Sequence, residues 1–511
     1  MTKRSLIRST GVIGVATALS RVLGFVRDIL FANFFGTGIA AQAFVVAFRI
    51  PNTLRDLAGE GAMNAAIVPV LSEYKAIKDE GEFARAASIL FNVSFMILSI
   101  MTVIGIVCSP IIVRMMAPGF AAEPEKFALT VTLNRVIFPY LLLIGLTAYS
   151  MGVLNAMKHF AAPAFGPAIM NIAMIASFLL CAKFGVMALT IGVLAGGLLQ
   201  LAVNVPAMQR RGIRIDLRAG FRHPAVKRIG KLLLPRTLGT AVYQINIFVD
   251  TILASLAWIV GSGGVAALYY ANRLIQFPLG IFGIALAQAA LPKMSQEFAA
   301  DDMDKFKDTL SFGLRAVLLV MLPASFGLAI LGKPIIRMLF ERGQFTSYST
   351  DITESALFFY AFGLMAYGGI KLLVTAFYSM HDTMTPVKTA FVAVIINAAL
   401  AAALMWPLKL GGLALATTIS ATFNFFNLYR LLVRKMGDFG TKAIADTFLR
   451  ALLASCVMGI VLKAMMVAFP DPGVTGLLIA MASGMGAFLA ACYMFEVREI
   501  KDSWAWITKR R

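Results

Sequence analysis

Charged residues are scarce in this chain, and acidic residues are scarcer than basic ones. Of 511 residues, 46 are Lys or Arg and 26 are Asp or Glu, so 14% are charged, against about 25% in an average soluble domain. Hydrophobic residues make up 59% of the chain. A soluble globule of this composition would expose large apolar areas to water, which excludes a cytosolic enzyme.

Cysteine and histidine are also rare, and their positions argue against two kinds of site. The four cysteines stand singly in apolar stretches without CxxC or CxxH spacing, at Cys108, Cys181, Cys456 and Cys492. This excludes a disulfide framework and gives no sign of a metal site. The three histidines are scattered through separate loops, at His159, His223 and His381, and the sequence shows no acidic residue arranged with any of them as a dyad. A membrane hydrolase or glycosyltransferase should instead show clustered carboxylates or histidines near the interface.

A nucleotide-driven pump is not indicated either. The stretch Gly327–Lys333 fits the spacing GxxxxGK, but Pro334 follows where a phosphate-binding loop has Ser or Thr. The segment also ends an apolar helix and has no strand before it. We therefore interpret the match as chance.

Long apolar runs dominate the chain, and fourteen are long enough to cross a membrane as helices of about 20 residues. The pattern predicts an all-α integral membrane protein. The predicted spans are 10–35, 39–70, 85–110, 128–157, 162–182, 186–208, 232–258, 264–292, 312–332, 355–379, 387–407, 411–429, 450–469 and 474–496.

The cations indicate the orientation of these spans. With a cytoplasmic N-terminus, about thirty of the 46 cations lie in cytoplasmic segments, and the positive-inside rule places both termini there. The richest segment, 211–231, contributes to a run of eight cations from Arg210 to Lys231. A lipid-headgroup or nucleic-acid patch is an alternative, but the absence of an aromatic ladder favours a topological anchor.

The chain repeats itself weakly at an offset of about 223 residues. Pro69 and Ser72 correspond to Pro292 and Ser295, and the polar turn 157–163 resembles 380–386. Six spans separate the copies, so the repeats would be parallel. The sequence therefore predicts two parallel six-helix lobes, spans 1–6 and 7–12, followed by two additional C-terminal helices.

Eight cations within the predicted spans stand out, together with four acids. An Arg at the bilayer centre costs roughly 2.5–3.5 kcal/mol even on a lenient scale, so we expect these side chains to face a water-filled cavity between the lobes. Helix-end snorkelling or salt bridges are the alternative. The cations are Arg21, Arg27, Arg49, Arg55, Arg135, Arg236, Arg273 and Lys371, and the acids are Asp28, Asp56, Glu60 and Asp250.

The first two spans carry most of these charges. In span one, Arg21, Gly24 and Asp28 share a helix face, with Ser20 and Arg27 beside it. In span two, Pro51 and the glycines around Glu60 predict an interrupted helix, which also contains Asn52 and Arg55. Because guanidinium groups match phosphate oxygens bidentately, a cavity with surplus arginines favours a diphosphate ligand. Arg273 in span eight would reach the same cavity.

Asp250 is an isolated acid in span seven. It could pair with an arginine, or it could bind Na⁺ or a proton together with oxygens such as those of Asn397 and Thr418. Both interpretations stay open.

Four groups of residues together carry a family resemblance. They are Ser20 to Asp28, Phe48 to Asn52 with Arg55 and Glu60-Gly61-Ala62, Tyr269-Tyr270-Ala271 with Arg273-Leu274 and Phe277-Pro278, and Thr385 to Lys388. The chain resembles the MurJ/MviN family of lipid II flippases, within the MOP exporter superfamily, and the similarity covers essentially the whole chain. The resemblance implies alternating access around a cationic cavity. It implies that Arg21, Arg27, Arg55 and Arg273 hold the diphosphate and its sugars, with Ser20 and Asn52 nearby. Asp28, Gly24, Pro51 and Glu60 would serve gating or hinge movement.

Three positions depart from the family pattern. Gln42 and Asn272 stand where many relatives have Asp, and Gly59 stands where Ala usually precedes Glu-Gly. With Gln42 and Asn272 in place of these two acids, the expected cavity is more positive, which suits an anionic ligand. The same change argues against a gating salt bridge shared with the family.

The resulting layout has a first lobe at 1–210, a basic linker at 211–231, a second lobe at 232–435, a lipid-tail groove of two helices at 446–497 and a cytoplasmic tail at 498–511.

We expect a bacterial inner-membrane flippase for lipid II in peptidoglycan synthesis, which maintains the cell wall and cell shape. We expect it to bind membrane lipids and cell-wall synthesis proteins, but no nucleic acid, cofactor or metal. Its coupling to Na⁺, H⁺ or membrane potential stays open. The alternatives are an exporter of another polyprenyl-diphosphate saccharide, a MATE-like drug/cation antiporter, or an enzyme acting on the same lipid.

Overall fold

The computed structural model of the protein describes residues 3–58, 60–77, 79–497 and 499. Side chains are described for the same residues apart from 3–10, 12, 13, 54–58, 60–65, 80, 234–241 and 243. Every regular element within the described residues is a helix, as the apolar runs predict. The chain forms two compact units that divide between Ser255 and Leu256.

The first unit contains eleven α-helices in its described part. They are α1 (Lys3–Phe35), α2 (Ile39–Ala58), α3 (Glu60–Ile77), α4 (Glu80–Val107), α5 (Ser109–Met116), α6 (Pro124–Ile137), α7 (Pro139–Ala156), α8 (Ala161–Ala164), α9 (Gly166–Leu180), α10 (Val186–Gln209) and α11 (Pro224–Ala254). Two short 3₁₀ helices, Pro118–Ala122 and Ala182–Phe184, lie between them. Helix α11, which the sequence assigns to the second lobe, packs here against α2, α3, α4 and α5.

The second unit contains nine α-helices in its described part. They are α12 (Ala257–Val260), α13 (Gly264–Pro278), α14 (Ile284–Ala299), α15 (Met303–Phe340), α16 (Ser347–Phe362), α17 (Leu364–Ser379), α18 (Met384–Met436), α19 (Thr441–Ala468) and α20 (Gly473–Met494). A π-helical turn, Leu279–Gly283, joins α13 to α14. The predicted division at 211–231 and the other domain boundaries stay predictions.

Eight helical segments of the described chain are long and apolar enough to span a membrane, and α16 with α17 form a ninth that bends by 49°. The eight are Gly81–Val107, Pro124–Ala156, Val186–Gln209, Gly264–Ala299, Met303–Phe340, Met384–Met436, Thr441–Ala468 and Gly473–Met494. Helix α9 is apolar but has only 15 residues, fewer than the roughly 20 that a span needs. All fourteen predicted stretches lie largely in helices, but the count of fourteen is not confirmed.

Helix α18 contains two of the predicted spans. Its 53 residues would extend about 80 Å at 1.5 Å per residue, more than twice a hydrocarbon core. Lys409, with φ 50° and ψ −129°, breaks the helix in its middle. A Cβ on Gly412 would lie 2.1 Å from the carbonyl oxygen of Leu404. The two legs therefore meet in a tight turn that only glycine permits.

We expect Gly412→Ala to destabilise the protein by about 3 kcal/mol, because the added methyl group meets backbone that cannot move aside. The measurement is the thermal unfolding midpoint in detergent. Gly327→Ala in α15 is the matched control, since nothing lies within 4 Å of its added Cβ. Equal midpoints for the two variants would contradict the tight turn.

The structure confirms the internal repeat at the level of single hydrogen bonds. Asp79 and Asp302, which are 223 residues apart, both cap the start of a helix. Each carboxylate accepts the backbone N–H of the residue three positions further along the chain. Lys158 and His381, again 223 apart, both adopt a left-handed conformation with φ 61° and 59°. The backbone amide of the next residue donates to the carbonyl oxygen of Leu154 in the first copy and of Phe377 in the second, at 2.9 Å in both. The same chain path is therefore built twice.

The turn after α7 holds a histidine with a lowered pKa. His159 Nδ1 lies 2.8 Å from Arg211 Nη2, and partial burial, together with this neighbouring cation, lowers the pKa of His159 below its ordinary value of 6.5. The unfolded chain therefore binds more protons just below pH 6.5. The contribution to stability is complete above that pH and is lost as the pH falls below it.

We expect Arg211→Gln to raise the pKa of His159 towards 6.5, because the neighbouring positive charge is removed while partial burial stays. NMR titration of the imidazole signals in the full-length protein is the measurement, and the chain has only three histidines to assign. Arg210→Gln is the control. An unchanged pKa in Arg211→Gln would contradict the contact.

Two equivalent apolar clusters form the cores of the repeated parts. In the first unit, α3, α4 and α7 meet around Leu71, Leu90 and Tyr149. In the second, α14, α15, α17 and α18 meet around Met294 and Leu372. A third cluster packs α15 against α19 and α20. The two additional C-terminal helices are thus attached to the second unit.

Candidate functional site

Helices α1 and α9 pack together and enclose an arginine in the first unit. Arg27 donates from Nη2 to Asp28 Oδ1 at 2.7 Å and from Nε to the same oxygen at 3.1 Å. Its Nη1 donates to Asn171 Oδ1 at 3.0 Å. The side chains of Arg27 and Asp28 are only 12% and 4% exposed. The guanidinium group is therefore fixed in direction, with its charge balanced by a buried carboxylate.

Asn171 also holds α1 in place. Its Nδ2 donates to the Ser20 carbonyl oxygen at 3.0 Å and approaches Ser20 Oγ at 3.4 Å. A Cβ on Gly24 would lie 3.4 Å from the same Nδ2, so Gly24 allows the close approach of the two helices. The structure brings together Ser20, Gly24, Arg27 and Asp28, and their proposed roles stay predictions. We refer to these four residues with Asn171 as the Arg27 cluster.

Arg21 lies on α1 but outside this cluster. It is exposed, although helical geometry places it on the same face as the buried Asp28. Within the described residues, it makes no ion pair. It is therefore an accessible cation near a fixed one.

Helix α2 is held to α11 by two polar contacts within the first unit. Arg49 Nη1 donates to Thr251 Oγ1, and the buried Thr53 hydroxyl donates to Gln244 Oε1 at 3.2 Å. The sequence analysis missed Thr53, Gln244, Thr251 and also Asn171. A lone amide such as Asn171 in an otherwise apolar span is the signal that could have found that residue.

The predicted interruption of span two lies elsewhere than at Pro51. Helix α2 continues through Pro51 to Ala58, and α3 begins at Glu60. Proline is tolerated inside a membrane-embedded helix where neighbouring helices and side chains satisfy the freed backbone groups, and Pro51 is buried. Asn52 beside it is half-buried. The side chains of Arg55 and Glu60 lie outside the described residues, so their roles stay predictions.

Arg273 is the corresponding cation of the second unit. It lies on α13 and donates from Nη2 to the hydroxyl of Tyr269 at 3.2 Å. Its Cζ is 5.0 Å from the centroid of the Tyr269 ring, close enough for a cation–π interaction. Tyr269 therefore directs this guanidinium group.

The three residues of the predicted ion site lie on helices of different units. Asp250 is half-buried on α11 of the first unit, whereas Asn397 and Thr418 are buried on α18 of the second. The hydroxyl of Thr418 donates to the Phe359 carbonyl oxygen at 2.8 Å. Their grouping as an ion site stays a prediction. Among the described residues, no three His, Cys, Asp or Glu side chains form a group that could hold a metal ion.

The nucleotide-like motif has a structural explanation. Gly327 to Lys333 lies inside the continuous helix α15, so its backbone N–H groups bond along the helix instead of cradling a phosphate. The interpretation as a chance match is confirmed.

Comparison with known proteins agrees with this architecture. The family model described as lipid II flippase MurJ matches residues 31–483. The probable lipid II flippase MurJ of Haemophilus influenzae is 35% identical over 462 residues, covering 87% of this chain and 89% of the relative. The lipid II flippase MurJ of Burkholderia cenocepacia is also 35% identical, covering 85% of this chain and 84% of the relative.

Solved structures show the same relationship at the level of fold. A lipid II flippase MurJ in an inward closed conformation superimposes with a TM-score of 0.82 and 27% identity, covering 96% of this chain and 99% of that one. An inward-facing MATE transporter of the MOP superfamily gives a TM-score of 0.72 at 15% identity, covering 83% and 98%, which shows a shared fold only. The chain belongs to the MurJ family of lipid II flippases.

Proposed function

We propose that the protein translocates lipid II from the inner to the outer leaflet of the bacterial cytoplasmic membrane by alternating access. The observation that carries this proposal is the match of the MurJ family model to residues 31–483, since the family consists of flippases. The protein is a transporter and makes or breaks no bond. We propose further that both termini are cytoplasmic, because about thirty cations lie on that side.

Arginines of both units are proposed to bind the diphosphate and its sugars. Arg21 is exposed and offers a complete guanidinium fork. Arg27 is held in a fixed direction by Asp28 and Asn171. Arg273 is directed by Tyr269. Cations that are already held lose little side-chain entropy when a diphosphate binds.

The additional C-terminal helices are proposed to receive the polyprenyl tail. A cavity of about 780 Å³ lies between α15 and α19 and is lined mainly by apolar side chains, among them Phe326, Ile330 and Ile460. A Cβ on Gly459 would lie 3.2 Å from both Phe326 and Ile330, so a larger residue would begin to fill the groove. Burial of a prenyl chain gains roughly 0.8 kcal/mol per methylene-sized group.

The function is tested by depletion in the native cell with leaflet-specific labelling of lipid II. We expect lipid II to accumulate in the inner leaflet and to return to the outer leaflet when the gene is restored. Unchanged outward appearance of lipid II, in a strain that lacks any redundant carrier, would overturn the proposal.

Energy coupling is proposed to involve Asp250, with Asn397 and Thr418. We expect Asp250→Ala to remove any dependence of transport on Na⁺ or on pH. If transport by the unmodified protein is indifferent to both ions, membrane potential is the remaining source, and the proposed role of Asp250 is wrong.

A further inference from the structure

The basic segment after α10 is a fixed element of the first unit. Residues 213–223, which we call the strap, lie against α4 through backbone and side-chain contacts. Asn92 Nδ2 contacts the carbonyl oxygens of Asp216, Leu217 and Gly220 at 3.2, 3.1 and 3.3 Å. The Asp216 amide donates to the Ser88 hydroxyl at 3.1 Å. The side-chain amide of Asn92 on α4 therefore contacts three carbonyl oxygens of the strap.

Both ends of the strap are fastened as well. Ile213 is only 4% exposed and belongs to the first apolar cluster. At the other end, His223 caps α11 by accepting the Ala225 amide at Nδ1, and its Nε2 lies 3.1 Å from Glu82 Oε1. The strap is thus held at its start, middle and end, so the side chains on its outer side have defined positions.

Those outer side chains are mostly basic or apolar, with one acid, Asp216, whose carboxylate accepts the Arg218 amide at 2.8 Å. Arg214, Arg218 and Arg222 are exposed, and none of them makes an ion pair within the described residues. Between them, Leu217 is 70% exposed and Phe221 is 53% exposed. Arginine interleaved with leucine and phenylalanine is the composition of elements that lie in a membrane interface.

The neighbouring helices place the strap at that interface. On α4, the lipid-facing residues begin at Phe95, which is 44% exposed and one turn beyond the Asn92 contact. On α10, the last exposed large hydrophobic side chain before the strap is Val203, which is 41% exposed. The exposed apolar surface therefore ends one turn beyond the Asn92 contact on α4 and about two turns before the end of α10 at Gln209.

A cleft adjoins the strap at the same level. It has a volume of about 420 Å³ and is lined by Val205, Met208, Ile213 and Ile215, with Gln209 and Arg214. A cleft lined by both apolar and polar groups, with an arginine among them, fits the glycerol region of a lipid whose headgroup is anionic.

We propose that the strap is a built-in interfacial anchor that binds anionic phospholipid headgroups, with Leu217 and Phe221 inserted at the hydrocarbon edge. Arg214, Arg218 and Arg222 contact the phosphates. From the sequence alone, a topological anchor is the favoured role of these cations, because neither an aromatic ladder nor a folded domain accompanies them. The contacts of Asn92, Ser88 and Glu82 supply a folded element.

The first experiment locates Phe221 in the full-length protein. Phe221→Cys, in a background with the four native cysteines replaced by Ala, carries a fluorophore and is reconstituted into phosphatidylcholine vesicles with or without phosphatidylglycerol. We expect quenching by nitroxides on the lipid acyl chains and protection from acrylamide, a neutral aqueous quencher, both stronger with phosphatidylglycerol. Equal acrylamide quenching in the two vesicle types would overturn the proposal.

The second experiment compares two triple variants with the same change in charge. Arg214→Gln/Arg218→Gln/Arg222→Gln removes the strap cations, and Arg210→Gln/Lys227→Gln/Lys231→Gln removes neighbouring ones. Binding of short-chain phosphatidylglycerol to detergent-solubilised protein is measured by native mass spectrometry. We expect the strap variant to bind at least roughly tenfold more weakly and the control less than about threefold, since each cation near an anionic surface contributes about fivefold at most.

Three outcomes would contradict the proposal. The first is equal weakening in both variants, which indicates diffuse charge attraction. The second is competition by inorganic phosphate as strong as by the lipid, which indicates a free-anion site. The third is tighter binding of an RNA oligonucleotide than of the lipid. Because all six substituted side chains are exposed, unchanged thermal unfolding should accompany both variants.

Discussion

Replacing Arg27 with alanine is expected to slow lipid II translocation about a hundredfold. The substitution removes the cation 2.7 Å from the buried Asp28 carboxylate, and truncating one partner of a buried, hydrogen-bonded charge pair costs roughly 3 kcal/mol. It also removes the group that we propose contacts the diphosphate. Translocation by the reconstituted variant, normalised to folded protein, is the measurement.

A double variant separates the two roles of Arg27. Arg27→Leu/Asp28→Asn removes both charges, so the cost of an unbalanced carboxylate disappears. We expect this variant to fold as stably as the original protein within about 1 kcal/mol and to remain inactive. Full transport by the double variant would show that Arg27 only balances Asp28 and does not contact the substrate.

Arg273→Ala is expected to lower translocation roughly thirtyfold, because a charge-assisted hydrogen bond to the diphosphate contributes about 2 kcal/mol. Its matched control is Tyr269→Phe, which keeps the ring under the guanidinium group and removes only the hydroxyl that accepts from Nη2 at 3.2 Å. Since a net hydrogen bond contributes about 1 kcal/mol, we expect the control to lose no more than about fivefold.

Losses of equal size in Arg273→Ala and Tyr269→Phe would contradict the assignment of Arg273 as a ligand. Such equal losses would show that the loss of translocation depends on the hydroxyl of Tyr269. Arg273→Lys adds a further distinction: it keeps the charge but loses the planar fork, so we expect it to restore only part of the rate.

The helical fold could be predicted from the sequence because apolar runs of about 20 residues have few alternatives to helix in a membrane. The repeat could also be predicted, since Pro69 and Pro292 mark equivalent helices. The count of spans is harder to predict, because α9 is short and α18 contains two runs. The turn of α18 at Lys409 depends on the close approach of Gly412 to the backbone of Leu404. The spacing of residues in the sequence does not reveal this contact.

The candidate site could be predicted only in part. Arg27 and Asp28 are neighbours in sequence, so their pairing follows from helix geometry. Asn171 is 144 residues away from Arg27, and one sequence without relatives gives no sign of that contact. The strap illustrates the same limit. Its charges are plain in the sequence, but the amide of Asn92 that gives them fixed positions lies 124 residues from Asp216.

Transport of lipid II by the purified protein in proteoliposomes tests the central claim most directly. Lipid II is loaded into one leaflet, its appearance in the other is followed with a membrane-impermeant label, and its mass is measured before and after. We predict label-accessible lipid II of unchanged mass, at a rate that the Arg27→Leu/Asp28→Asn variant lacks. Lipid II that stays in its original leaflet, or that changes mass, would contradict the account.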